Sequence, residues 1–155
     1  MVCIDMDFNA FIVEQDESGA FSGQVKPQLI ADLPEGDILI KVAASSLNFK
    51  DALSFSGNKG VTRQFPHTPG IDAVGVVVSS EDKGFTEGQS VLVIGYDLGM
   101  NTSGGFGEYI RVPSKWVMAL PGNMNSNQSM SWGTAGFTSA LCVDKLIAAG
   151  VTKEQ

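Results

Sequence analysis

The stretch SSLNFKDALSFSGNKGVTRQFPHTPGIDAVGVVV, residues 45–78, carries the strongest indications of the fold. It begins just after a β-branched segment, and Asn48 is followed closely by a Lys-Asp pair. A glycine-bearing loop then leads to the turn Pro69–Asp72 and to the predicted strand Ile71–Ser80. Because glycine inside a strand marks a bulge or a close backbone approach, we expect such an irregularity at Gly75.

The remainder of this 155-residue chain, with its 18 glycines, predicts short strands joined by turns. Besides Ile71–Ser80, the predicted strands are Phe8–Glu14, Ile38–Ser45, Ser90–Ile94, Gly107–Pro113 and Trp116–Leu120. Helical spacing of apolar residues predicts a helix over Thr134–Ala149, while Ser126 can cap a shorter one and Asp51–Phe55 can form a helical turn. Strands followed by a helix are typical of a β-barrel-like domain that leads into another unit.

The charge balance argues against some partners. The formal net charge is −7, and the 10 lysines and arginines are scattered, so we expect neither nucleic acid nor a membrane surface as a partner. No apolar run approaches the ~20 residues of a membrane span. The acidic N-terminus is unlike a signal peptide, and Cys3 and Cys142 form no disulfide framework. These features favour a cytoplasmic location.

Several kinds of active site find no support in the sequence. His67 is the single histidine, and the two cysteines are remote from it, so neither a catalytic nor a structural zinc pattern is present. A Ser-His-Asp triad would also need His67, and no Gly-x-Ser-x-Gly motif supplies the serine. The stretch Gly104–Gly107 lacks the third glycine and the helix of a dinucleotide fingerprint, and we expect a tight turn there.

Asn48 and Asp51 each have two interpretations from the residues alone. An amide at a strand end can both donate and accept hydrogen bonds to a ligand, but Asn48 can equally cap the helical turn that follows. Asp51 can belong to a site, or it can simply stabilise the first turn of that helix.

Taken together and in order, the motifs resemble the medium-chain dehydrogenase/reductase superfamily, and most of all its zinc-free branch of quinone-oxidoreductase-like proteins and acryloyl-CoA reductases. The motifs are LPEGDILIKV (33–42), SSLNFKDAL (45–53), TRQFPHTPGID (62–72), GYDLG (95–99), GGFGEYIRVP (104–113) and GTAGFTSAL (133–141). The sequence PHTPGID stands where zinc enzymes of this superfamily carry a Gly-His-Glu metal motif.

The resemblance implies a mainly β fold, with a GroES-like barrel over Met1–Asn123 and linker helices over residues 124–155. In such proteins a Rossmann domain that binds NADPH follows, and we expect that domain to be absent from this chain. We therefore expect this chain to be the substrate-side part of a longer protein, and to be inactive alone. Phe137 and Leu141 are expected to pack in a core, although an apolar face with Ile147 would be exposed without the Rossmann domain.

The resemblance also implies roles for individual residues. Asn48, Phe49 and Thr134 match positions near the cofactor, with Phe49 standing where tyrosine is usual; Thr134 could alternatively cap the last helix. Lys50 and Asp51 match the pair that shapes the pocket floor. Tyr96 matches a pocket-wall position and is a potential proton donor; alternatively it is an ordinary tyrosine at a strand end. Arg63 matches an arginine before the Phe-Pro turn, and it is either a ligand of a substrate phosphate or a surface arginine.

The expected activity is zinc-independent hydride transfer from NADPH to an activated alkene, such as an enone or acryloyl thioester, or to a quinone. Protonation at the neighbouring carbon would come from Tyr96 or a water molecule, with Asn48 as an orienting amide. The alternative is a non-catalytic β-barrel module that acts by association, for example as a homo-oligomer, because fold alone does not fix function. Neither interpretation requires a metal.

Overall fold

The computed structural model describes residues 6–152 and consists mainly of β-strands, as predicted. Its elements in chain order are β1 (Asp7–Gln15), β2 (Phe21–Leu29), β3 (Ile38–Ala44), α1 (Phe49–Phe55), β4 (Asp72–Ser80), β5 (Ser90–Ile94), β6 (Tyr109–Val112), β7 (Val117–Ala119) and α2 (Ser126–Ala148). Short 3-10 helices lie at Ile30–Asp32 and Ser114–Trp116. Cys3 lies outside the described residues, as do the start of the first predicted domain and the end of the second. Cys142 is exposed.

Five strands form one antiparallel sheet in the order β6-β3-β4-β5-β7. Within the described residues the two edge strands do not pair with each other, so the barrel-like sheet remains open. The pairing of β3 with β4 shifts register between Val42 and Ala44, opposite Gly75. The irregularity expected at that glycine is therefore confirmed.

The strand β2 (Phe21–Leu29) is not among the strands predicted from the sequence. It pairs with β1 as a hairpin, and that hairpin joins the rest of the fold through isolated bridges at Ala10 and Val13. Most of β2 is exposed and it contains Pro27, so it shows little of the apolar alternation that marks a half-buried strand.

The core has a main cluster between the strands of the large sheet and a second one beneath the hairpin. The main cluster includes Ile38, Ile40, Val93 and Ile110, which are almost fully buried. The second cluster joins β1 to later segments and consists of Phe8, Ala10, Ile12, Ile30, Leu33 and Leu39. The hairpin is thus part of the folded core and not an appendage.

Helix α2 is broken near its middle. Gly133 has φ 49° and ψ −156°, a conformation that is essentially restricted to glycine. Before the break, Ser129 and Met130 are buried, and Met130 packs with Val74 and Leu92. After the break, nearly every side chain is exposed. The predicted short helix and the predicted helix from Thr134 are therefore both present, meeting at Gly133, although the N-cap of the first is Asn125 and not Ser126.

Among the described residues, no helix is both long enough and apolar enough to cross a membrane.

Candidate functional site

The carboxylate of Asp72 lies at the centre of the candidate site. Asp72 begins β4 and is 0% exposed. Its Oδ2 accepts hydrogen bonds from the Ser46 hydroxyl at 2.6 Å, the Asn48 side-chain amide at 2.9 Å and the Thr134 backbone N–H at 2.8 Å. Its Oδ1 accepts a 2.6 Å hydrogen bond from the Thr134 hydroxyl. One buried carboxylate therefore joins the loop after β3 to the second half of α2.

A second buried carboxylate, Asp51, fixes the same loop from below. Its Oδ2 accepts the Asn48 backbone N–H at 2.7 Å, and its Oδ1 accepts the N–H groups of Gly70 and Ile71 at 3.1 and 3.0 Å. Burial raises the pKa of the Asp51 carboxyl; these three backbone hydrogen bonds act in the opposite direction, and the negative charge of Asp72 adds a further upward effect. Asp51 ties the start of α1 to the turn before β4.

That turn requires glycine. Gly70 has φ +111°, and a Cβ there would lie 2.7 Å from the backbone nitrogens of Gly105 and Phe106. The Gly105 N–H donates to the Gly70 carbonyl at 2.8 Å, so the two loops touch through their backbones. The tight turn expected over Gly104–Gly107 is found there, at Gly105–Phe106. This contact holds Asp72 in place beneath the loop that carries Asn48.

The structure brings Asn48, Asp51 and Thr134 together, through the contacts described above. Asn48 is the N-cap of α1, as its capping interpretation proposed, and its side-chain nitrogen also bonds Asp72. Thr134 begins the second half of α2 and donates through both its N–H and its hydroxyl. Phe49 and Lys50 follow on the outer side of α1, where Phe49 is 80% exposed.

A depression of about 470 Å³ opens beside this group. It lies between the loop after β3 and the first half of α2, and its lining includes Ser46, Leu47, Asn48, Met130 and Trp132. Both sides of this shallow depression carry polar and apolar groups, since Leu47 lies beside Ser46 and Asn48 on the loop, and Asn127 and Ser131 lie beside Met130 and Trp132 on the helix.

Tyr96 and Arg63 lie outside that depression. Tyr96 follows β5, is 58% exposed with a positive φ of 54°, and stacks on Trp116 with ring centroids 5.4 Å apart. Arg63 is exposed beside a separate depression of about 670 Å³, which Lys59 and Phe65 also line. The roles predicted for these two residues remain predictions, and within this chain they do not share a wall with Asn48.

His67 is a buried structural residue. Its Nε2 lies 2.9 Å from the Gly99 carbonyl, and because a carbonyl can only accept, the ring donates through the N–H at Nε2. Burial lowers the pKa of His67, against smaller upward effects from the Gly99 carbonyl and from Asp97. Across residues 6–152, no cluster of His, Cys, Asp and Glu side chains is arranged to hold a metal ion.

The residues that sequence reasoning missed are Ser46, Asp72 and Gly133. The motif Pro69–Asp72 was noticed as a rigid turn, but nothing in it indicated that the Asp72 side chain would bond Thr134, 62 residues later. Gly133 was only the first letter of the GTAGFTSAL motif. One signal was available: Asp72 stands at the start of the apolar strand Ile71–Ser80, and an aspartate that is buried there needs hydrogen-bond donors.

Comparison with known proteins identifies related chains. The model for the alcohol dehydrogenase GroES-like domain matches residues 34–122. The putative quinone oxidoreductase YhfP of Bacillus subtilis is 43% identical over 134 residues, which are 86% of this chain and 41% of that protein. The probable acrylyl-CoA reductase AcuI of Escherichia coli is 44% identical over 142 residues, 92% of this chain and 44% of that protein.

Solved structures of similar proteins superpose closely on this chain. The yhdH oxidoreductase of Salmonella enterica in complex with NADP superposes with a TM-score of 0.89 at 43% identity, covering 96% of this chain and 45% of that one. Bacillus subtilis yhfP with NAD bound gives a TM-score of 0.90 at 41% identity, covering 97% and 45%. The chain thus spans less than half the length of these relatives.

Proposed function

Because the chain belongs to the alcohol dehydrogenase GroES-like domain family, within the medium-chain dehydrogenase/reductase superfamily, we propose that it is the substrate-side part of a zinc-independent oxidoreductase. The proposed reaction reduces the C=C bond of an activated alkene, such as acryloyl-CoA, or reduces a quinone. The cofactor we propose is NADPH, which supplies a hydride when bound. The domain division at Asn123, with linker helices after it, is part of the same proposal.

The observation that carries this proposal is the meeting of Asn48 and Thr134 on one carboxylate. Both were predicted to lie near the cofactor, they are 86 positions apart in sequence, and each donates a hydrogen bond to Asp72. The adjacent depression offers hydroxyl and amide groups together with the apolar side chains of Met130 and Trp132. Asn48, Phe49 and Thr134 are the residues that would hold the nicotinamide part of the cofactor.

The remaining predicted residues have separate duties in this proposal. Asp51 and Lys50 support the floor of the pocket, Asp51 through its three backbone hydrogen bonds. Tyr96, or a water molecule, delivers the proton: to the carbon next to the one that accepts the hydride when the substrate is an activated alkene, and to an oxygen when it is a quinone. Stacking on Trp116 holds the phenol ring in one orientation. Arg63, exposed beside Lys59, would bind a phosphate of a CoA thioester.

The test uses a chimera in which these 155 residues replace the matching part of Bacillus subtilis YhfP. We expect the chimera to oxidise NADPH in the presence of acryloyl-CoA or a quinone, and the 155-residue chain alone to be inactive. Oxidation by the short chain alone, or a folded chimera that binds NADPH but reduces neither substrate, would overturn the proposal. Arg63→Gln should raise KM for acryloyl-CoA and leave KM for a small quinone unchanged.

The proton donor is tested in the same chimera. If the Tyr96 hydroxyl delivers the proton, Tyr96→Phe should lower kcat by about 10²-fold, the lower end for losing a general acid, with little change in KM. Trp116→Leu is the companion variant, because it removes the stacking partner and leaves the hydroxyl. A normal kcat in Tyr96→Phe would assign the proton to water.

A second candidate function is association through an exposed apolar surface, because Phe137, Leu141 and Ile147 are exposed on the second half of α2. Sedimentation of the 155-residue chain distinguishes the two. A stable, defined oligomer that Leu141→Glu dissolves, together with an inactive chimera, would favour an association module. A monomer would remove this candidate.

A further inference from the structure

We propose that Asp72 is a positioning residue, whose carboxylate holds the Asn48 amide and the start of the second half of α2 in one fixed arrangement. The inference rests on the proposed function and extends it. Under it, the two groups that would meet the cofactor cannot move independently, because both are bonded to a single side chain.

Asp72 is held by hydrogen bonds and not by a salt bridge. Within residues 6–152 the single ion pair is Lys26–Glu14, far from this site in sequence, so no described lysine or arginine pairs with Asp72. The carboxylate accepts four hydrogen bonds from side-chain and backbone donors. A buried carboxylate without a cation is stable only while such donors stay in place. Moving any one donor away from Asp72 therefore costs free energy, and this cost fixes the position of the donors.

The break at Gly133 makes this arrangement possible. The residue after a helix break has a backbone N–H without an intrahelical partner, and here the Thr134 N–H points to Asp72 Oδ2 at 2.8 Å. A carboxylate at the start of the second helical half also suits the positive end of its dipole. A Cβ at Gly133 would lie 2.5 Å from the Ser46 hydroxyl oxygen and 2.7 Å from Asp72 Oδ2, so any other residue would separate these groups.

The two oxygens of Asp72 differ in a way that an experiment can use. Oδ2 accepts from three donors, one of them the Thr134 N–H, which can never accept. Oδ1 accepts only from the Thr134 hydroxyl, which can rotate and become the acceptor. Asp72→Asn can therefore keep every contact by placing its NH₂ group at the Oδ1 position, whereas Asp72→Ala loses them all.

The first measurement is amide hydrogen exchange at Thr134 in the 155-residue chain, which needs no cofactor and no activity. We expect exchange at this amide to be faster by about 10²-fold in Asp72→Ala, and by about 10-fold in Asp72→Asn, because neutral hydrogen bonds are weaker than charge-assisted ones. Asp144→Ala, an exposed acidic residue on the same helix, is the matched control and should not change it. Unchanged exchange in folded Asp72→Ala would overturn the proposal.

The second measurement is made in the chimera and separates positioning from general stability. We expect Asp72→Ala to lower kcat by about 10²-fold and to weaken NADPH binding, with less effect on KM for the alkene. Thr134→Val should reproduce part of the loss and Thr134→Ser should restore it, since serine keeps the hydroxyl. Should Asp72→Ala fail to fold, the Thr134 pair provides the same comparison, and equal activity of its two members would overturn the proposal.

The two proposals fail in distinguishable ways. If the chimera reduces no alkene or quinone, but exchange at Thr134 and NADPH affinity respond to Asp72→Ala as expected, the reaction is wrong and the positioning role stands. If the chimera is active and neither Asp72→Ala nor Thr134→Val changes kcat, NADPH affinity or exchange, the positioning role is wrong and the reaction stands.

Discussion

The two halves of helix α2 are continuous in sequence and opposite in environment. Before Gly133, Met130 is 6% exposed and packs with Val74 and Leu92 against the sheet. After it, Leu141 is 48% exposed, and residues 137–150 are all exposed. Both halves carry apolar residues, so composition does not separate them. What separates them is attachment: the first half packs Ser129 and Met130 against the sheet, and the second is held at its start by hydrogen bonds to Asp72.

The difference teaches that an amphipathic pattern predicts a helix but not the surface that covers it. The apolar residues of the second half lie at helical spacing, which is why the sequence predicts this helix correctly. They were expected both as core residues and as an exposed face; in this structure Phe137 and Leu141 are exposed. The relatives are more than twice as long as this chain, and we propose that their additional sequence is what covers such a face.

The largest expected effect comes from removing the break between the halves. Gly133→Ala should lower the free energy of unfolding by about 3 kcal/mol, since alanine is strained at this φ and ψ and its Cβ would meet Asp72 and Ser46. The measurement is urea denaturation of the 155-residue chain. Gly122→Ala is the matched control: a Cβ there meets nothing within 4 Å, so the change should stay within about 0.5 kcal/mol. Equal effects would mean that the break is not required.

The next effect compares the halves directly. Met130→Ala should cost about 2 kcal/mol, because it leaves a cavity against the sheet, whereas Leu141→Ala should change stability by less than about 0.5 kcal/mol. Denaturation of the two variants under one set of conditions provides the comparison. A large loss in Leu141→Ala would show that the second half is buried in solution, through contacts between copies of the chain.

The smallest expected effect is a dependence of the free energy of unfolding on pH, and it should arise from the buried side chain of His67. The folded-state pKa of His67 is lowered below its ordinary 6.5, so its stabilising contribution is fully present above that pH. The contribution is lost as the pH falls from there through the lower pKa of the folded state. Asp51, with its raised pKa, acts in the opposite direction: its contribution is fully present below the ordinary 3.8 of aspartate and is lost as the pH rises through the higher pKa of the folded state.

Unfolding free energies at about pH 7.5 and about pH 5.5 test this expectation. The difference between the two pH values should be smaller in His67→Gln, which keeps an N–H donor for the Gly99 carbonyl and cannot become charged in this range. Asp144→Asn, an exposed change on the second half of α2, should leave the difference as in the original chain. An unchanged difference in His67→Gln would contradict the assignment.

Much of the fold was predictable because it depends on local pattern. The strands that pair in the large sheet carry β-branched or alternating residues, and both helices show caps or helical spacing. The exception, β2, has one neighbour and an exposed face, so neither burial nor alternation marked it. Sequence patterns report burial more directly than they report pairing.

The site was predictable only in part, for a different reason. Asn48, Asp51 and Thr134 could be named from motifs, yet their connection depends on Asp72, whose partners are up to 62 residues away. Hydrogen bonds between distant segments leave no periodic trace in a sequence. Such contacts become visible only when the fold places a buried polar group beside a donor.

The hairpin of β1 and β2 has a practical consequence for where this domain can be cut. The family model begins at residue 34, after the hairpin, but Phe8, Ala10 and Ile12 pack with Leu33 and Leu39 across that boundary. A protein trimmed to the matched segment for expression would uncover this cluster and become prone to precipitation. The boundary of the family match and the boundary of the packed core differ here by an entire hairpin, so a shortened protein keeps this cluster intact only if it begins before Phe8.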